Sequence, residues 1–169
     1  MTQAANLAAL GSNVTSSGVL TRTALPAGSV LQVLQSGTST ALSTTSTTPQ
    51  ATGLSVTITP TSAANKIMIF YSLGDVSTNY TSGGSGGIKV WIYRNGSALT
   101  QNGNQWQYPN GISGYKIGSG GSVGYDSPAT TSATTYAIYW ASLSGNSGIN
   151  CEIFRDGTAG ALIVMEVAV

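Results

Sequence analysis

The sequence predicts an all-β protein: an antiparallel β-sandwich, jelly-roll-like, carrying an extended N-terminal arm. Three observations lead there. From about Val30 onward, successive segments alternate apolar and polar residues with a period of two, the spacing that turns one face of a strand toward a core. These segments are short and are separated by Gly, Ser, Asn and Pro, the residues that punctuate turns. No long segment repeats at the helical period, so two packed sheets are the layers that these strands can build.

The chain divides into an arm, residues 1–28, and a sandwich domain, residues 29–169. The arm is uncharged apart from Arg22 and holds one helix-compatible piece, Gln3 to Leu10, with Gly11 where a helix C-cap favours glycine. So short a helix needs a surface to dock on, and Leu7, Leu10 and Val14 are its apolar candidates for attachment.

Within the domain, Leu54, Val56 and Ile58 alternate with Ser55, Thr57 and Thr59, and Pro60 ends the strand. The run Ile67 to Leu73 is apolar on both faces, which predicts a central strand covered on both sides. Ile88 to Tyr93 is followed by Asn95-Gly96, a strong hairpin signal. Tyr136 to Ala141 and Ile149 to Phe154 follow, and weaker strands are expected at 30–35, 40–47, 97–101 and 115–118. The last run, Ala161 to Val169, is nearly all apolar and has to be central or covered by a neighbouring subunit. Ile163, Met165 and Val167 are therefore the candidate subunit interface. Glu166, inside that run, calls for a buried partner, with Lys89 or Arg94 as the candidates. Residues 76–124 read as an exposed tip, with Gly83–Gly87 and Gly118–Gly121 as flexible connectors.

Composition narrows the function. Charged residues make up 7% of the chain and there is no histidine, against roughly 25% charge in ordinary soluble domains. A Ser–His pair is excluded, and the five carboxylates and three lysines show no catalytic spacing, so the chain is read as no enzyme, with no catalytic residue, cofactor or metal site. The six basic residues are scattered, which argues against nucleic acid as a partner. Cys151 lies in a strand pattern, where it acts as a small hydrophobe. No apolar run is long enough for a membrane span, and the N-terminus lacks a signal-peptide pattern, so synthesis in a cytoplasm is expected. The segment Asn102 to Gly111 is expected to be a loop in which Trp106 and Tyr108, with Tyr115 nearby, mix aromatic faces with amides. That mixture suits a neutral sugar; alternatively the rings pin the loop to the sandwich.

Four stretches of the chain carry a resemblance. The opening Gln3 to Val14 with Gly18-Val19-Leu20, the block Gly53 to Ser62 with Asn65-Lys66-Ile67, the block Tyr125 to Tyr136, and the ending Val164-Met165-Glu166-Val167 together resemble small virion proteins of marine and cyanobacterial tailed phages. The order of strand, Asp-Ser-Pro, Thr/Ser-rich turn and apolar last strand is also similar to C1q- and tumour-necrosis-factor-like jelly rolls. The resemblance implies a virion structural protein made in the host bacterial cytoplasm. Its partners would be itself, as a homotrimer, and the major capsid protein or another virion protein. A capsid decoration, cement or head-fibre protein held by its arm is the first expectation. A tail-fibre or receptor-binding tip that recognises a host glycan is the alternative.

Overall fold

The computed structural model describes residues 3–17, 25–80, 86–108, 114–143 and 149–169. It contains a helix, α1 (Gln3–Ser12), and ten strands: β1 (Val30–Thr38), β2 (Leu42–Thr44), β3 (Gln50–Ile58), β4 (Lys66–Tyr80), β5 (Ile88–Arg94), β6 (Ser97–Trp106), β7 (Gly114–Asp126), β8 (Thr134–Ser142), β9 (Ile149–Ile153) and β10 (Gly160–Val167). They form two antiparallel sheets. A six-stranded sheet runs β1-β10-β4-β9-β2 with β7 on the far edge of β4, and a four-stranded sheet runs β3-β8-β5-β6.

Five pairs nest inside one another along the chain: β1 with β10, β2 with β9, β3 with β8, β4 with β7, and β5 with β6. That nesting is a long hairpin rolled over on itself, which is jelly-roll topology. Alternation puts Leu54, Val56 and Ile58 of β3, Tyr136, Ile138 and Trp140 of β8, and Ile88, Val90 and Ile92 of β5 on one inner face. Ile67, Ile69, Tyr71 and Leu73 of β4, with Leu162 and Val164 of β10, face them across the core.

β4 is the spine. Its first half, Lys66–Ser72, pairs with β10, its second half, Ser77–Tyr80, pairs with β9, and β7 runs along its other edge. A bulge at Gly74 (φ +60°) separates the halves, where a Cβ would meet Thr158 Oγ1 at 2.6 Å. The Thr158 hydroxyl accepts the Asp75 N–H at 2.8 Å, and Leu73 O accepts the Phe154 N–H at 3.1 Å.

Several sequence expectations change. The helix runs through Gly11 to Ser12 rather than stopping at Leu10. Residues 76–124 are not a separate tip, because Val76, Ile88, Val90 and Ile92 from that span are core residues. Gly118–Gly121 belong to β7, and Asn102–Trp106 belong to β6, where a connector and a loop were expected.

Glu166 is fully buried, and neither Lys89 nor Arg94 is its partner. Its Oε1 accepts the Thr61 N–H (2.6 Å), the Thr61 hydroxyl (2.8 Å) and Asn65 Nδ2 (2.7 Å), while Oε2 accepts Gln32 Nε2 (2.6 Å). Four neutral donors thus stand where an ion pair was expected. Arg94 instead pairs with Asp126 (2.9 Å), which also accepts the Tyr136 hydroxyl at 2.7 Å. Burial by itself raises the Glu166 carboxyl, but hydrogen bonds from Asn65, Gln32 and Thr61 outweigh it and hold the group below the ordinary carboxylate value. The stability that it contributes is therefore present above that ordinary value, and is lost as the pH falls below it toward the depressed folded value. Glu166→Gln turns an NH₂ toward existing donors and is expected to cost about 1–3 kcal/mol. Urea denaturation at neutral pH measures that loss, and the gap between the two proteins should shrink in acid.

Candidate functional site

The outer face of the six-stranded sheet is built by cross-strand register. In one row Val33 of β1 stands opposite Met165 of β10, Met165 opposite Met68 of β4, and Met68 opposite Tyr125 of β7. The next row is Gln35, Ile163, Phe70 and Val123, and the one beyond it is Gly37, Ala161, Ser72 and Gly121. Their strand neighbours Ile67, Ile69, Leu162 and Val164 point into the core, so these rows point out. Val33 is 52% exposed, Val123 50% and Tyr125 76%, and Phe70 is also exposed. No charged residue stands in the three rows. Lys66 lies opposite Val167 beyond them, and its Nζ donates to Ser127 Oγ at 2.8 Å. A groove of about 450 Å³ opens on this face between Phe70, Val123, Ala161 and Ile163.

The other outer face differs. On β3 and β8 it carries Ser55, Thr57, Thr135 and Ala137, with the Thr57 and Thr135 hydroxyls 2.8 Å apart. It also carries Lys89 and Trp91, and Tyr93 stacks on Tyr139 with centroids 3.9 Å apart. One face of the sandwich is therefore apolar and open, and the other is hydroxylated and self-packed.

Ile163 and Met165 lie half-buried within the rows of the apolar face, and Val167 is half-buried in the row beyond them. The sequence places Met68 and Phe70 on the doubly covered strand and Tyr125 in the block that carries the resemblance, and it singles out neither Val33 nor Val123. The available signal is the second apolar register of Ile67–Leu73, which predicts a strand covered on both sides, whereas Phe70 on its outer side is exposed.

The aromatic candidates do not form one platform. Trp106 is half-buried, stacks on Tyr71 (centroids 6.2 Å apart) and lies between Gly103 and Gly120, where a Cβ at either position would come within 2.8 Å of its ring. Both glycines exist to make room for the indole. Tyr108 is exposed, and the backbone before it is held by the Thr78 hydroxyl donating to Gln107 O at 2.6 Å. Tyr115 is exposed at the start of β7, with the Arg155 guanidinium 4.3 Å from its ring centroid. Arg155 is itself held by Glu152 at 3.0 Å and Asp156 at 3.3 Å. In the arm, Val14 is half-buried, and the side chains of Leu7 and Leu10 lie outside the described residues.

Among the described residues, no group of three or more His, Cys, Asp or Glu side chains is placed to hold a metal, and no helix is long and apolar enough to cross a membrane. Burial pushes the Cys151 thiol above its ordinary pKa. Asp126, Glu152 and Glu166 are engaged with Arg94, Arg155 and neutral donors respectively.

No protein-family model matches the chain, and no curated protein matches it. Among solved structures it is similar to dimeric latent PorU from Porphyromonas gingivalis, at 8% identity and a TM-score of 0.41, covering 86% of this chain and 13% of that one. It is also similar to a D431N mutant VP2 protein of infectious bursal disease virus (11%, TM-score 0.38, 83% of this chain and 37% of that one). A third similarity is to infectious bursal disease virus Gx strain (13%, TM-score 0.36, 82% and 33%). The chain thus spans well under half the length of each of these structures, and none assigns it a role.

Gly120→Ala is expected to push the Trp106 ring off Tyr71, at a cost of about 1–3 kcal/mol from overpacking. Thermal melting measures the loss, and tryptophan emission should shift to the red, a shift that disappears in a Trp106→Phe background.

Proposed function

We propose that this chain is a structural protein of a tailed-phage virion: a homotrimeric capsid decoration, cement or head-fibre protein attached through residues 1–28. The observation that carries this reading is the open apolar face of the six-stranded sheet, with Val33, Phe70, Val123 and Tyr125 exposed in rows that contain no charge. A contiguous apolar surface of this kind marks a place where another protein sits. The resemblance of the opening, middle and closing blocks to small phage virion proteins supplies the class of assembly.

The arm leaves the sandwich at one end of this same sheet. Gly28 N–H donates to Ala168 O at 2.9 Å, and Ala168 N–H donates to Ser29 O at 2.9 Å, which ties the arm's base to the end of the final strand. Attachment through the arm and self-assembly through the sheet thus use different parts of the chain. The partner for the arm is the major capsid protein or another virion protein. A glycan-binding tail tip is the weaker reading, because the Trp106 ring that it needs is stacked on Tyr71 and walled by glycines.

Gold-labelled antibody against the protein is expected to decorate the heads of intact particles in electron microscopy. Label confined to the tail would transfer the reading to the tail-tip alternative, and unlabelled particles would remove both. Deleting residues 1–28 is expected to abolish attachment while the sandwich still melts cooperatively; retained attachment would show that the arm is not the anchor.

A further inference from the structure

The apolar face has relief. The first two outer rows carry large side chains, and Tyr125, at the β7 end of the first, projects furthest at 76% exposed. The row two places away is hollow, because Gly37, Ala161, Ser72 and Gly121 have small side chains or none. The groove of about 450 Å³ lies on this hollow side, walled by Phe70, Val123 and Ile163 and floored in part by Ala161. A projecting phenol ring and an apolar hollow of suitable size therefore occupy one face of the same molecule.

We infer that the occupant of this face is a second copy of the chain, with Tyr125 of one copy seated in the groove between Phe70, Val123, Ala161 and Ile163 of the next. The inference deepens the homotrimer of the proposed function and rests on that reading. Three observations favour a copy of the chain over an unrelated protein. The rows carry no charge, so they offer nothing by which a charged partner would be selected. This chain, at 7% charged residues, presents the same uncharged chemistry in return.

Knob and hollow are also different parts of the face. A ring needs this, since each copy must give its Tyr125 to one neighbour and receive that of the other. Finally, four strands by three rows span roughly 19 by 20 Å, or about 400 Å². That is half of the ~800 Å² per partner of a stable interface. The surface continues past Tyr125 onto the more polar flank between β6 and β7, where Leu99, Thr100, Asn102, Gly124, Ser127 and Asp126, the last paired with Arg94, line a second depression of about 490 Å³. A neighbour that rests on the face and turns the corner onto this flank reaches the remaining area.

The test uses the full chain. Native mass spectrometry and sedimentation are expected to show a trimer for the wild type and for Tyr125→Phe. Tyr125→Asp should raise the concentration at half-assembly by on the order of tenfold or more, with an unchanged melting transition at concentrations where both proteins are monomeric, since the ring is exposed. Ala161→Trp, which fills the hollow, should weaken assembly to a similar degree, and combining it with Tyr125→Asp should add little further loss, since both remove the same contact. A Tyr125→Asp or an Ala161→Trp protein that assembles like the wild type overturns the seating of Tyr125 and leaves the virion reading standing. A wild type that is monomeric at about 100 µM, or a two-fold dimer, overturns both the seating and the trimer, while head labelling still decides the location on the particle.

Discussion

The backbone pairing along both edges of β4 is the constraint on which the rest of the structure hangs. This one strand hydrogen-bonds to β10, β9 and β7, so it fixes the register of most of its sheet. The bulge at Gly74 lets its two halves take different partners on one edge, and the left-handed turn at Phe154 (φ 53°) carries the chain from β9 to β10 to supply them. Gly160 is required there because a Cβ would collide with the Phe154 ring. With β10 held against β4, and β1 against β10, the three outward rows of the apolar face are set in line.

A jelly roll with few charges has to protect its edges by other means. Lysine and proline often do so in natural sheets. Here uncharged side chains join the edge strands of opposite sheets. On one side Ser36 Oγ accepts the Ser55 N–H at 3.2 Å, and Gln32 Nε2 donates to Thr59 O at 2.9 Å. On the other, Asn102 Nδ2 donates to Val123 O at 3.1 Å. The buried carboxylates follow the same economy: Glu166 is satisfied by amide and hydroxyl donors, and one charge pair, Arg94 with Asp126, joins β5 of one sheet to the end of β7 in the other. The scarcity of charge thus shapes the interior as well as the surface.

The fold was legible wherever alternation was clean. Leu54, Val56 and Ile58, then Tyr136, Ile138 and Trp140, became core strands as their period of two required. Legibility failed at glycine-rich stretches. Gly118–Gly121 look like a connector, yet they lie in β7 because a bare backbone is what fits beside Gln107, Trp106 and the β4 carbonyl of Tyr71. Trp106 packs against Gly103 close by in sequence, but Gly120 and Tyr71, which complete its surroundings, come from distant strands, so its half-buried position follows from the fold. The partner of Glu166 was missed because the donors are neutral and come from Gln32, Thr61 and Asn65, and only folding brings these beside the final strand.

The sequence by itself determined that the chain is a β-sandwich with an apolar final strand and little catalytic equipment, because periodicity and composition are local properties that need no contact map. Only the tertiary structure decided which apolar residues remain outside. Met68 and Phe70 read as core like their neighbours, and Val33, Val123 and Tyr125 lie far from them along the chain. Strand pairing across β1, β10, β4 and β7 gathers them onto one face. That gathering depends on non-local register, and register is set by the bulge, the turn at Phe154 and the order of strands in the sheet.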